Sequence, residues 1–115
     1  MNWNQLTSTD QLAQIQESSV EKPVLIFKHS TRCSISSSAL NRVERNWDDK
    51  FLNQITPYYL DLISYREVSN AIADIFGVQH QSPQVLLIYK GKSIYDTSHM
   101  DINLPEIMSQ AKFVM

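Results

Sequence analysis

The chain has 115 residues, enough for one domain and too few for two ordinary ones. It is 43% hydrophobic and 19% charged, with 2 glycines and 4 prolines, which excludes disordered, collagen-like and low-complexity classes. Ten basic against twelve acidic residues give a net charge of −2, which removes the electrostatic footprint of a general nucleic-acid binder.

In chain order, Asp10–Glu17 reads as a short helix, with Thr9 as its cap and Leu12 and Ile15 as its apolar stripe. Val24–Phe27 follows Pro23 and reads as a buried strand, β-branched or aromatic and without polar alternation. The run Lys28-His29-Ser30-Thr31-Arg32 turns into a second helix over about Ser34–Trp47, where Ile35, Ala39, Leu40, Val43 and Trp47 recur near helical spacing. A second strand is expected at about Ile55–Leu60, with one of Tyr58 and Tyr59 packed and the other facing out.

Ser64 and Glu67 have the spacing of a capping box for a third helix. Val68, Ile72, Ile75 and Phe76 mark its face, and Gly77 suits the left-handed position that ends it. Val85–Tyr89 and Ile94–Thr97, joined through Lys90-Gly91-Lys92, read as a hairpin. A last helix starts with Asn103 as cap, Pro105 in the first turn and Glu106 three residues after the cap. The order α-β-α-β-α-β-β-α implies an α/β domain spanning residues 1–115. In it a right-handed β-α-β unit and an antiparallel hairpin share one four-stranded mixed sheet flanked by helices.

The chemistry concentrates at Cys33, the only cysteine, placed where the first strand gives way to the second helix. A lone cysteine forms no internal disulfide and builds no cysteine-rich zinc centre; no metal is expected at His29, His80, His99 and Cys33. Unpaired N–H groups at a helix start favour a thiolate over a thiol, and the thiolate is the nucleophile in disulfide exchange. A thiol ionised near neutrality needs about 2 kcal/mol of preferential anion stabilisation, whereas an exposed helix end gives ~0.3–1 kcal/mol. The remainder is expected from the N–H groups of Ile35 or Ser36, the Ser36 hydroxyl, or the charge of Arg32. Far along the chain, Ser82-Pro83 precedes the third strand and is a candidate cis peptide bond.

A strand, a cysteine at a helix start and a proline opening a hairpin strand resemble the thioredoxin-like arrangement. More narrowly, Lys28–Ser36, Val68–Ala73, Phe76–Gln84 and Thr97-Ser98-His99 resemble the monothiol bacilliredoxin family, over about Lys22–Leu104. That resemblance implies a thioredoxin-like fold with Pro83 cis beside the thiol, and reduction of mixed disulfides between proteins and bacillithiol, a small thiol bearing malate carboxylates. The family motif reads Thr-Cys-Pro-Ile-Ser. Here Arg32-Cys33-Ser34-Ile35-Ser36 carries the nucleophile over to Cys33 and matches at Ile35 and Ser36, while Ser34 replaces proline and restores an N–H.

Arg32, Ser34, Ile35, Ser36, Ser82 and Pro83 are the implied substrate contacts, with His29 and His80 as candidate tuning residues. Lys28, His29 and Arg32 are expected to attract the carboxylates. The implied setting is a cytoplasmic monomer with no bound cofactor and with bacillithiol as co-substrate. Its partners would be bacillithiolated client proteins, and bacillithiol or another redoxin as resolving thiol, without nucleic acid or membrane. A non-catalytic binding module and a monothiol iron–sulfur carrier are the alternatives; the Cys-Gly-Phe-Ser pattern of such carriers is missing here.

Overall fold

The structure, a computed structural model, describes residues 1–114. The strands are β1 (Asn4–Gln5), β2 (Val24–His29), β3 (Thr56–Asp61), β4 (Gln84–Tyr89) and β5 (Lys92–Ser98). The helices are α1 (Asp10–Ser18), α2 (Ser34–Asn46), α3 (Arg66–Phe76) and α4 (Leu104–Val114), with 3₁₀ turns at Asp49–Asn53 and His99–Asp101. The sheet runs β1-β3-β2-β4-β5. β2 is parallel to β3, as the β-α-β unit requires, and β4 is antiparallel to β5, as the hairpin requires, and also to β2. A fifth strand joins the four expected ones: β1, two residues long, lies parallel to β3 at the edge.

Both faces of the sheet are covered, and alternate residues of the central strands serve opposite cores. Leu25, Phe27, Val85 and Leu87 pack with Ala39 and Val43 of α2 and Ile107 of α4. Val24, Ile26, Leu86 and Ile88 pack with Leu12 and Ile15 of α1 and Val68 and Ile72 of α3. Apart from Ala39, each of these buried side chains contributes roughly 1.5–3 kcal/mol. That fixes the register of β2, because a one-residue slip would exchange its two faces. Tyr58 and Tyr59 are both half-buried, one on each face, since the sheet is covered on both sides.

Several helix ends differ from expectation. Thr9 is already helical (φ −64°, ψ −26°) and makes no side-chain cap. Instead, Gln11 Oε1 accepts from the N–H groups of Thr7 (2.8 Å) and Ser8 (3.0 Å), and Ser8 Oγ accepts from Asp10 N (3.2 Å). The expected Ser64 capping box is replaced by an Asp61 turn. The Asp61 carboxylate accepts from Ile63 N, Ser64 N and, at 2.9 Å, Ser64 Oγ, so α3 starts uncapped behind Tyr65. Gly77 does end α3 at φ 65°, and Asn103 Oδ1 does accept from Glu106 N at 2.9 Å. Lys90 (φ 52°) and Gly91 (φ 78°) make the two-residue hairpin turn, whose positive dihedrals match the twist of the flanking strands. Among the described residues no helix is long and apolar enough to cross a membrane.

Candidate active site

β2 runs two residues beyond its apolar core because its ladder continues on both sides, Lys28 opposite Leu60 and Gln84, and His29 opposite Asp61. After His29 the chain turns sharply. Cys33 N donates to Ser30 O (3.2 Å), and Cys33 takes the N-cap position of α2 with extended backbone (φ −114°, ψ 121°). Its carbonyl accepts the first helical bond, from Ser37 N at 3.0 Å. The thiol is half-buried at the head of a thirteen-residue helix, where the backbone N–H groups of the first turn have no helical acceptor. Arg32, Ser34 and Ile35 are exposed around it.

Ser36 points elsewhere than expected. It is completely buried; its Oγ accepts from Ser30 N at 3.0 Å and lies 2.7 Å from His29 Nδ1. The hydroxyl therefore braces the turn beneath Cys33 and does not serve the sulfur. His29 is itself buried, its ring 5.7 Å from Tyr59 and 6.3 Å from Phe27. Burial lowers its pKa below the ordinary histidine value, with Asp61 and Glu44 pulling the other way. Burial likewise raises Tyr59, assisted by the same two carboxylates.

On the opposite face of β2, Lys28 is also completely buried. Alternation explains this: Lys28 continues the row of Val24 and Ile26 into the α3 side of the sheet. Its Nζ donates to Ser69 O and to His80 Nδ1, both at 3.3 Å. Burial pulls Lys28 from 10.5 to about 8. It lowers His80 as well, with the positive charges of Lys28 and Arg66 adding to the effect. Lys28 and His29 therefore cannot attract carboxylates at the surface, and of the three basic groups expected to do so only Arg32 is placed for it.

The antiparallel pairing of Lys28 with Gln84 brings the residues that lead into Cys33 and those that follow Pro83 to one end of adjacent strands. Ser82-Pro83 is cis. Pro83 is buried and its carbonyl accepts from His99 N at 3.0 Å, where His99 turns the chain with φ 56°. Ser82 Oγ is shielded from solvent and has no hydrogen-bond partner among the described residues. The sequence reading missed Ser69 and Gln84. Gln84 carried a signal: it is a polar residue opening an otherwise apolar strand, one ladder step across from Lys28.

Two clefts lie away from this site. One of about 480 Å³ sits between the starts of α1 and α3, and one of about 380 Å³ between Phe51, Leu104 and Met108. Cys33 lines neither.

A family profile described as monothiol bacilliredoxin BrxC matches residues 4–107. This chain belongs to the monothiol bacilliredoxin family. Among solved structures, this bacilliredoxin-family chain is similar to a protein described as having a thioredoxin fold and a suggested oxidoreductase role. The two are 31% identical with a TM-score of 0.78, over 94% of this chain and 91% of the other. The thioredoxin of Malassezia sympodialis matches at 18% identity and TM-score 0.74, over 97% of this chain and 90% of its own. The Fasciola hepatica thioredoxin matches at 14% and 0.70, over 96% and 97%. The fold is thioredoxin-like, and the family places the chain in bacilliredoxin-type thiol redox chemistry.

Proposed function

We propose that this protein is a monothiol thiol–disulfide oxidoreductase that reduces mixed disulfides between client proteins and bacillithiol. The observation that carries the reading is the position of its single cysteine, half-buried at the N-cap of α2, which follows the end of β2 that pairs with β4 next to Ser82-Pro83. Ser36 stands three residues on, where a dithiol enzyme would hold a second cysteine.

In the first step the Cys33 thiolate attacks the bacillithiol sulfur of the mixed disulfide. A Cys33–bacillithiol disulfide forms, the client's sulfur–sulfur bond breaks, and the client leaves as a thiolate that takes a proton from water. Having no internal resolving thiol, the adduct waits for a second bacillithiol or another redoxin. Attack on the bacillithiol half of the adduct releases Cys33 as thiolate and gives the oxidised small thiol or a mixed disulfide with the redoxin. No bound cofactor is required, because the electrons come from the incoming thiol.

Cys33 makes no side-chain hydrogen bond to the first turn of α2. The dipole of the helix, and not the expected direct contact from Ile35 or Ser36 N–H, favours sulfur-borne negative charge, while exposed Arg32 meets the malate carboxylates. Ser82 and Pro83 offer the backbone against which the disulfide lies. Turnover of a bacillithiolated client is expected to vanish in Cys33→Ser. Intact-mass analysis after exposure to oxidised bacillithiol is expected to give a single adduct, on Cys33. Turnover that persists in Cys33→Ser would overturn the proposal, and so would client binding without turnover in the unaltered protein.

A further inference from the structure

The loop that leads into Ser82-Pro83 is fastened from below by two side chains of adjacent strands. Gln84 Nε2 donates to Gln79 O at 3.0 Å, Gln84 Oε1 accepts from Gln81 N at 3.4 Å, and Lys28 Nζ donates to His80 Nδ1 at 3.3 Å. Lys28 and Gln84 face each other in the β2–β4 ladder and are 0% and 1% exposed. Successive residues 79, 80 and 81 are thus held by one cross-strand pair. Beyond them, the next fastening is His99 N on Pro83 O. Ser82, with its unpartnered hydroxyl, is suspended between the two.

We propose that Lys28 and Gln84 are positioning residues for the Ser82-Pro83 segment, Lys28 acting through His80, and that they set how well a mixed disulfide is bound. This rests on the reading of Ser82-Pro83 as a substrate contact. A completely buried ammonium is costly, and an apolar side chain would fill the same space without that cost. Among the described residues the hydrogen-bond partners of Lys28 are Ser69 O and His80 Nδ1, neither of them a carboxylate.

An ammonium only donates, so His80 must keep Nδ1 bare and carry its proton on Nε2. Ser69 Oγ, 3.3 Å from the same nitrogen, can donate only to that form. The pair therefore selects one ring orientation and one tautomer of a residue two positions before Ser82. The groups around this contact are Ser69 and Arg66 on α3, Gln84 on β4 and Leu60 on β3. Cys33 belongs to the other side of β2, braced through His29 and Ser36, so the clamp acts on the substrate's seat and not on the sulfur.

The test compares Lys28→Met, His80→Asn and His80→Leu with the unaltered protein. Asn offers an oxygen near the position of Nδ1 and retains an acceptor for Lys28, whereas Leu does not. For Lys28→Met and His80→Leu, KM for a bacillithiolated client is expected to rise about tenfold, with kcat and the rate of Cys33 alkylation by iodoacetamide changing less than about twofold. His80→Asn is expected to stay near the unaltered protein. A purely packing role would make Leu no worse than Asn.

Amide hydrogen exchange is expected to quicken at residues 79–82 in Lys28→Met and to stay unchanged in α2. Unchanged KM in Lys28→Met, equal behaviour of Asn and Leu at position 80, or a parallel fall in kcat and alkylation rate would each overturn the proposal. Exchange reads the clamp without substrate. A lack of turnover in the unaltered protein would therefore count against the proposed function, while unchanged exchange would count against the clamp.

Discussion

Lys28→Met is expected to remove a pH dependence from folding stability, and the magnitude follows from the burial of its ammonium. Burial draws Lys28 from 10.5 down to about 8. Between those values the unfolded chain holds a proton that the folded protein has released, so stability rises with pH across that window. Below it both states are charged, above it neither is, and the slope is zero. Within it each pH step is worth up to about 1.4 kcal/mol, so the whole interval carries at most about 3 kcal/mol.

At neutral pH two effects of the substitution oppose each other. Loss of the buried charge relieves up to about 3 kcal/mol, while Ser69 O and His80 Nδ1 each lose a donor at ~1–3 kcal/mol. Net stability near pH 7 therefore changes little, and the slope is the diagnostic. Urea unfolding followed by the fluorescence of Trp3 and Trp47, under reducing conditions from pH 7 to 10.5, measures it. The stability of the unaltered protein minus that of the variant should stay flat to about pH 8 and then climb. Tyr59 and Tyr95, both raised by burial, titrate in each protein and cancel in the difference. Parallel curves across the range would refute the reasoning.

Ser36→Ala should cost about 1–3 kcal/mol, because Ser30 N and His29 Nδ1 lose their shared partner in a buried setting. A lower urea midpoint with an unchanged slope is the expected reading, and an unmoved midpoint would contradict the brace. Gly77→Ala should cost about 1 kcal/mol. The added methyl group meets nothing within 4 Å, so only the backbone at φ 65° resists it. Calorimetry should give a modest fall in Tm, with Cys33 alkylation unchanged.

The strand-helix order and the hairpin were legible in the sequence because the helices show apolar spacing, the central strands are unbroken apolar runs buried on both faces, and Lys90-Gly91-Lys92 marks the turn. The short strand β1 was not, since two exposed residues, Asn4 and Gln5, carry no pattern. Helix starts were the weakest part. Ser64 and Glu67 have capping-box spacing, but Asp61 reaches Ser64 first, and local competition between two oxygen-bearing side chains is invisible in spacing alone. At the site, the placement of Cys33 at a helix head and a cis Ser82-Pro83 could be read ahead. The direction of Lys28, His29 and Ser36 could not, because charge and polarity argue for the surface. Strand alternation beyond Phe27 gave the contrary answer: Lys28 shares a face with Ile26, and His29 with Phe27.

The brevity of β1 bears on how the borders of the sheet are closed to a further strand. β3 is covered on its outer flank only at Tyr58 and Tyr59, but the neighbouring position is Pro57, which has no N–H to offer, and its carbonyl is taken by Asn4 Nδ2 at 3.1 Å. The far border of the sheet, β5, is irregular opposite Leu87 and Ile88 and carries Lys92 and Asp96. Neither margin offers the long, flat template on which a foreign strand nucleates. The turn that carries Cys33 follows β2, the central strand, and so stands clear of both margins.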